Sequence, residues 1–143
     1  MTKVYLDVCC LNRPFDDQTQ DRIRLEAEAV VIVLGRIEAG DYHWLTSEVV
    51  DIEIGQTPNA GRRRRLKRLA RWADSTLRVG ETEIVRASGL ETLGFRPMDA
   101  LHIACAESGE ATVFFTTDDQ LLRKASRHAG ALRIRVVNPI VLL

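Results

Sequence analysis

The sequence has only three cysteines, Cys9, Cys10 and Cys105, and no C-x-x-C pair. An odd count without that pair excludes a disulfide framework and a cysteine zinc site. No apolar stretch approaches the roughly 18 residues of a membrane span. Residues 1–5 lack the layout of a secretion signal. The expected location is the cytoplasm, with no membrane partner. Neither G-x-x-x-x-G-K-[ST] nor G-x-G-x-x-G occurs, so ATPase and dinucleotide chemistry have no support. A phosphoacceptor receiver would need paired acids at its first strand and a late-strand lysine. Here Asp7 stands alone and the last strand carries Arg135. A catalytic thiol at Cys9 or Cys10 would need a histidine partner that the sequence does not identify.

Net charge is also absent, but the zero is an average. Residues 62–71 hold Arg62, Arg63, Arg64, Arg65, Lys67, Arg68 and Arg71. Removing those seven from 20 basic residues leaves 13 against 20 acids. One face is therefore strongly basic and the rest acidic. That division suits a protein that gathers carboxylates at one place and meets phosphate at another. The basic face equally suits a solubilising surface, or one that an acidic partner covers.

What is present alternates between two periods. Residues 3–6 read as a buried strand ending on Asp7, followed by a polar loop over 8–17. A helix is expected over 19–39, with Ile23, Ala27, Val30, Val31, Leu34 and Ile37 at helical spacing and Gly40 as its stop. A strand at 43–46 leads to Ser47, an N-cap for a helix over 48–55. A turn-rich break precedes the basic helix at 62–74. A short strand at 77–79, a helix over 81–93 and an apolar helix over 98–107 follow, with Cys105 as a small core residue. A strand at 112–116, a helix from 118 to 129 and a strand at 134–137 complete the chain. Strands alternating with helices predict a parallel sheet covered on both faces. At 143 residues the chain is one domain, 1–143.

Four acids fall where such a fold places ligands, beyond the carboxyl ends of strands. Asp7 ends the first strand and Asp118 follows the fourth. On the 48–55 helix, at about 100° per residue, Val49, Val50, Ile52 and Ile54 define an inward side, with Glu53 near its middle and Glu48 and Asp51 turned away. A solvated Glu53 is the alternative. Asp99 opens an apolar helix, where the helix dipole favours an anion. A plain capping role explains it equally. His102, three residues on, either orients Asp99 or sits in the core, and the core reading is preferred. Asp118 aligns with Leu121, Leu122 and Ala125. Asp119 aligns with Arg123 and Ser126, so it is taken as a solvated neighbour. Thr116 or Thr117 is placed to hold a carboxylate or a water. Carboxylates crowded together repel one another, and a hard divalent cation relieves that. All-oxygen ligation selects Mg²⁺ or Mn²⁺ over zinc.

The segments Val4-Tyr5-Leu6-Asp7, Ser47 through Glu53, Met98 through Ala104 and Thr116-Thr117-Asp118 occur in an order that resembles a PIN domain. The resemblance is to the VapC-type toxin ribonucleases of toxin–antitoxin pairs. It implies a three-layer α/β/α fold with a central parallel sheet and a Mg²⁺- or Mn²⁺-dependent endoribonuclease. It carries the family's acids onto Asp7, Glu53, Asp99 and Asp118, with Asp7, Asp99 and Asp118 holding the metal. An RNA substrate, an antitoxin protein and a homodimer are the partners it implies. Arg62, Arg63, Arg64, Arg65, Lys67 and Arg68 would then meet nucleic acid. The 9–17 loop departs from the toxin pattern, which more often has a small polar residue soon after the first Asp. Asn12, Asp16 and Asp17 are further candidates there for the metal site. The competing class is a non-catalytic PIN-like module that binds RNA or protein.

Overall fold

The computed structural model describes residues 2–143. Strand β1 (Thr2–Leu6) leads into helix α1 (Val8–Asn12) and a 3-10 turn (Arg13–Phe15). These are followed by α2 (Asp21–Glu38), β2 (Tyr42–Ser47), α3 (Glu48–Gly55), α4 (Ala60–Ala70), β3 (Ser75–Leu77), α5 (Glu81–Thr92), α6 (Pro97–Ser108), β4 (Val113–Phe115), α7 (Asp119–Arg127) and β5 (Arg135–Val137). Among the described residues the five strands form one all-parallel sheet in the order β3-β2-β1-β4-β5.

That order explains the fold's polarity. The chain winds outward from β1 through β2 to β3, then returns across β1 to add β4 and β5. The reversal lies between β1 and β4, and the carboxyl edge there is where open α/β sheets place their ligands. Leu6 pairs with Phe115, and the Asp7 amide donates to the Phe115 carbonyl at 3.0 Å.

Successive strand residues point to opposite faces. Tyr5 and Phe114 are register partners and stack on one face, 5.2 Å between ring centroids. His102 of α6 meets both edge-on. Trp44, on the other face, is fully buried beside Leu34 and Ile37 of α2. One apolar core fills both interlayer spaces.

Several expectations need correction. The 8–17 stretch is mostly helical rather than loop. Asp7 caps α1 by accepting from the Val8 amide at 2.9 Å, and Asn12 Nδ2 donates to the Val8 carbonyl at 3.2 Å. The basic helix begins at Ala60, because Asn59 caps it through the Arg62 amide, and it ends at Ala70. β3 lies at Ser75–Leu77, set by pairing with Leu45 to Ser47. Val31 and Ile52, assigned to inward faces, are exposed by 57% and 55%. On α2 Ala27, Val30 and Ile37 are buried as expected, and the buried face also takes in Ala29, Val33 and Glu26, a charged residue that apolar counting cannot find.

Candidate metal centre

Asp7 is almost wholly buried at the carboxyl edge of β1. Its Oδ2 accepts from Thr116 Oγ1 at 2.8 Å and from Cys9 Sγ at 3.4 Å, while Oδ1 serves the α1 cap. Burial pushes its carboxyl up, and His102 and Thr116 oppose that. One Asp7 oxygen, one Glu53 oxygen and a His102 nitrogen lie within 4.8 Å of one another.

The histidine is the centre of a buried relay. His102 Nε2 meets Glu53 Oε1 at 2.9 Å and lies 4.0 Å from Asp7 Oδ1. Its Nδ1 is 2.7 Å from the Tyr5 hydroxyl, which is 2.7 Å from Ser47 Oγ. An ionised Glu53 only accepts, so Nε2–H donates to it. In the neutral ring Nδ1 then accepts from Tyr5, and Tyr5 accepts from Ser47. Burial would lower the imidazole pKa. The Glu53 hydrogen bond, with the charges of Asp7, Glu53 and Asp99, turns the net shift upward. Burial also holds the Tyr5 hydroxyl well above its usual range, so it stays protonated.

Asp99 sits in the first turn of α6, half-buried. Its carboxylate accepts no hydrogen bond among the described residues. Burial pushes it up to about 6, and the negative charges of Asp7 and Asp118 add to that. Asp118 is the N-cap of α7, with Oδ1 accepting from the Gln120 and Leu121 amides at 2.9 and 3.3 Å. Asp119 turns outward, as its phase predicts. It is not merely solvated, because Arg22 grips it through two bonds of 2.6 and 2.7 Å.

Asp7 and Glu53 are thus in one cluster, and Asp99 lies within electrostatic reach of both Asp7 and Asp118. Thr116, one of two hydroxyls expected to hold a carboxylate, holds Asp7. The Thr117 hydroxyl is buried without a partner. His102 is in the core, but it orients Glu53 rather than Asp99. Tyr5 and Ser47 were not foreseen as parts of the site. Period-two counting back from Asp7 finds Tyr5 on the same strand face. Ser47 was read only as a cap.

The other candidates are occupied. Asp16 pairs with Arg13 and Arg62 at 2.8 and 2.6 Å, and Asn12 Oδ1 accepts from Arg62. Asp17 Oδ1 accepts from the Thr19 amide. Arg62 is therefore bound at the rim, with a further bond to the Phe15 carbonyl, and Arg63 donates to the Thr57 carbonyl. Arg64, Arg65, Lys67 and Arg68 are exposed.

The site can hold a hard divalent cation. Asp7 and Glu53 bring carboxylate oxygens together, Asp99 nearby has no donor, and the imidazole among them is already engaged.

The sequence profile of the PIN domain family matches residues 4–127. No curated protein sequence matches the chain. Three solved structures share its fold at low identity. FitAcB from Neisseria gonorrhoeae has 18% identity and a TM-score of 0.62, over 95% of this chain and 97% of that one. VapBC-1 from nontypeable Haemophilus influenzae has 15% and 0.61, over 96% and 98%. VapBC2 from Rickettsia felis, bound to a DNA fragment from its promoter, has 13% and 0.63, over 96% and 98%.

Proposed function

Because the chain belongs to the PIN domain family, we propose that it is a Mg²⁺- or Mn²⁺-dependent endoribonuclease, and the toxin of a toxin–antitoxin pair. The observation that carries this reading is Asp99, a half-buried carboxylate without a donor, raised to about 6 beside Asp7 and Asp118. A group in that condition is poised for a cation. The likeness to VapBC complexes supports an antitoxin protein as partner, and a cytoplasmic, single-domain, homodimeric protein completes the reading.

Asp7, Asp99 and Asp118 would hold the metal. When bound, such an ion lowers the pKa of water and offsets charge building on a phosphodiester. The chain's own residues do the rest. Thr116 fixes the rotamer of Asp7. The α7 cap leaves Asp118 Oδ2 free of amide bonds. His102, held from behind by Tyr5, fixes Glu53 Oε1, and Glu53 remains open enough at its second oxygen to take a proton from an attacking water. His102 Nε2–H stays on the first oxygen, so the proton taken from water resides on the second oxygen of Glu53.

The test is cleavage of a mixed single-stranded RNA pool with Mg²⁺, with Mn²⁺ and with EDTA, beside Asp7→Asn. Metal-dependent cutting lost in the variant is expected. RNA binding without cutting under any condition would replace the nuclease with a binding module.

A further inference from the structure

Across α3 from the carboxylates lies a polar pocket of about 330 Å³, lined by Thr46, Asp51, Lys67, Ala70, Arg71 and Thr76. Asp51 and Glu53 are two residues apart on that helix, so they face nearly opposite sides. The pocket therefore shares a wall with the metal centre without sharing its residues.

Its floor is the carboxyl end of the sheet. Thr46 and Thr76 are register partners on β2 and β3, so their side chains stand together on one face. Thr46 is 3% exposed, and its hydroxyl has no hydrogen-bond partner. A buried hydroxyl without a partner is unfavourable, and this one lines a pocket from which a hydrogen-bonding group can reach it.

The wall is α4. Lys67 and Arg71 are four residues apart, so their charges stand side by side and repel. Neither forms a salt bridge, and neither does Asp51, among the described residues. Arg62 and Arg63, by contrast, are bound to the chain itself. Two cations and one carboxylate leave the pocket with one positive charge. That balance suits a monoanionic phosphodiester and disfavours a dianionic phosphate monoester. A guanidinium, an ammonium and two hydroxyls are all donors, as phosphate oxygens require.

We propose that this pocket seats one backbone phosphodiester of single-stranded RNA, so that the strand crosses α3 before or after the bond held at the carboxylates. The assignment rests on the ribonuclease reading and adds the path of the substrate.

The test is binding of a labelled single-stranded RNA to the full chain in EDTA, where no cutting occurs. Lys67→Gln and Arg71→Gln should each weaken binding about tenfold, the scale of one charge-assisted contact. Thr46→Val, which keeps the shape and removes the hydroxyl, should weaken it several-fold. Arg65→Gln and Arg68→Gln, on the same helix outside the pocket, should change it less than twofold. Because Lys67 and Arg71 share one phosphate, the double variant should lower the salt slope by about 0.7, the value for one contact on a single strand. Equal losses at Arg65 and Arg68 would overturn the pocket in favour of an undifferentiated basic face. Unchanged affinity in the pocket variants would overturn it while the ribonuclease reading stands. A wild-type chain that binds no RNA would overturn both.

Discussion

Asp99 is the residue where fold and function pull apart. In the metal-free protein its proton is held to about 6 by burial and by Asp7 and Asp118, whereas an unfolded chain releases it near 3.9. Between those values the folded state binds more protons than the unfolded one, so stability falls as pH rises through that window. At neutral pH the ionised Asp99 is a net cost. Replacing it with a neutral isostere should remove that cost. Asp99→Asn should therefore stabilise the metal-free protein at pH 7.5 by about 1 kcal/mol, after discounting for a group that solvent partly screens. The melting temperature should rise by roughly 2–4 °C, the gain should vanish at pH 4, and RNA cleavage should be lost. A lower melting temperature at pH 7.5 would show that Asp99 has a structural partner. The neighbouring pair gives a second prediction at this scale. Asp118 caps α7 within electrostatic reach of Asp99, and Asp119 is tied outward to Arg22. Asp118→Asn should abolish cleavage and Asp119→Asn should leave it within about twofold, the effect expected of an exposed ion pair. Equal damage from both would mean that α7 presents Asp119 to the metal.

At the scale of elements, helix phase was legible where one face is plainly apolar and failed where a buried position is charged. The inward turn of Glu53, the Ser47 cap and the outward turn of Asp119 follow from spacing alone. Glu26 does not, because nothing in a single sequence marks a carboxylate destined for full burial. Arg13 and Arg22 donate to it at 2.8 and 3.3 Å, and Asn138 Nδ2 does so at 2.6 Å. One side chain thus ties the turn after α1, α2 and the segment after β5. The same network reaches the 8–17 stretch, where Arg13 also holds Asp16, and Arg62 takes Asp16 and Asn12 Oδ1 rather than leaving them in a loop. Removing the anion leaves Arg13 and Arg22 without it and Asn138 without an acceptor. Glu26→Ala should cost about 3–5 kcal/mol, the usual penalty for breaking a buried charged pair from one side. A calorimetric melt should fall by roughly 10 °C. A loss below 2 °C would show that the arginines find solvent or Asp16 and Asp119 instead.

Across the whole molecule, the strand order brings Asp7 and Asp118 together. Placing acids at strand ends was readable from the sequence. That β1 and β4 are neighbours was not, because pairing between distant strands leaves no local signature. The order matters because the chain reverses between those strands, which brings Asp7 beside Glu53 of α3 and within electrostatic reach of Asp99 of α6. Crowded carboxylates cost the folded protein stability, and a cation bound among them would relieve that cost, coupling metal binding to folding. Mg²⁺ or Mn²⁺ at 100 times its dissociation constant should stabilise the chain by about 2.7 kcal/mol, a melting shift of roughly 5–10 °C. The shift should disappear in Asp7→Asn, which removes the charge common to both halves of the site. It should persist in Lys67→Gln, which lies across α3. It should also shrink as pH falls below 6, where Asp99 takes up its proton and competes with the ion. A shift of equal size in wild type and Asp7→Asn would place the cation elsewhere on the acidic surface, and the site at Asp7 would then be only a cluster of strained carboxylates.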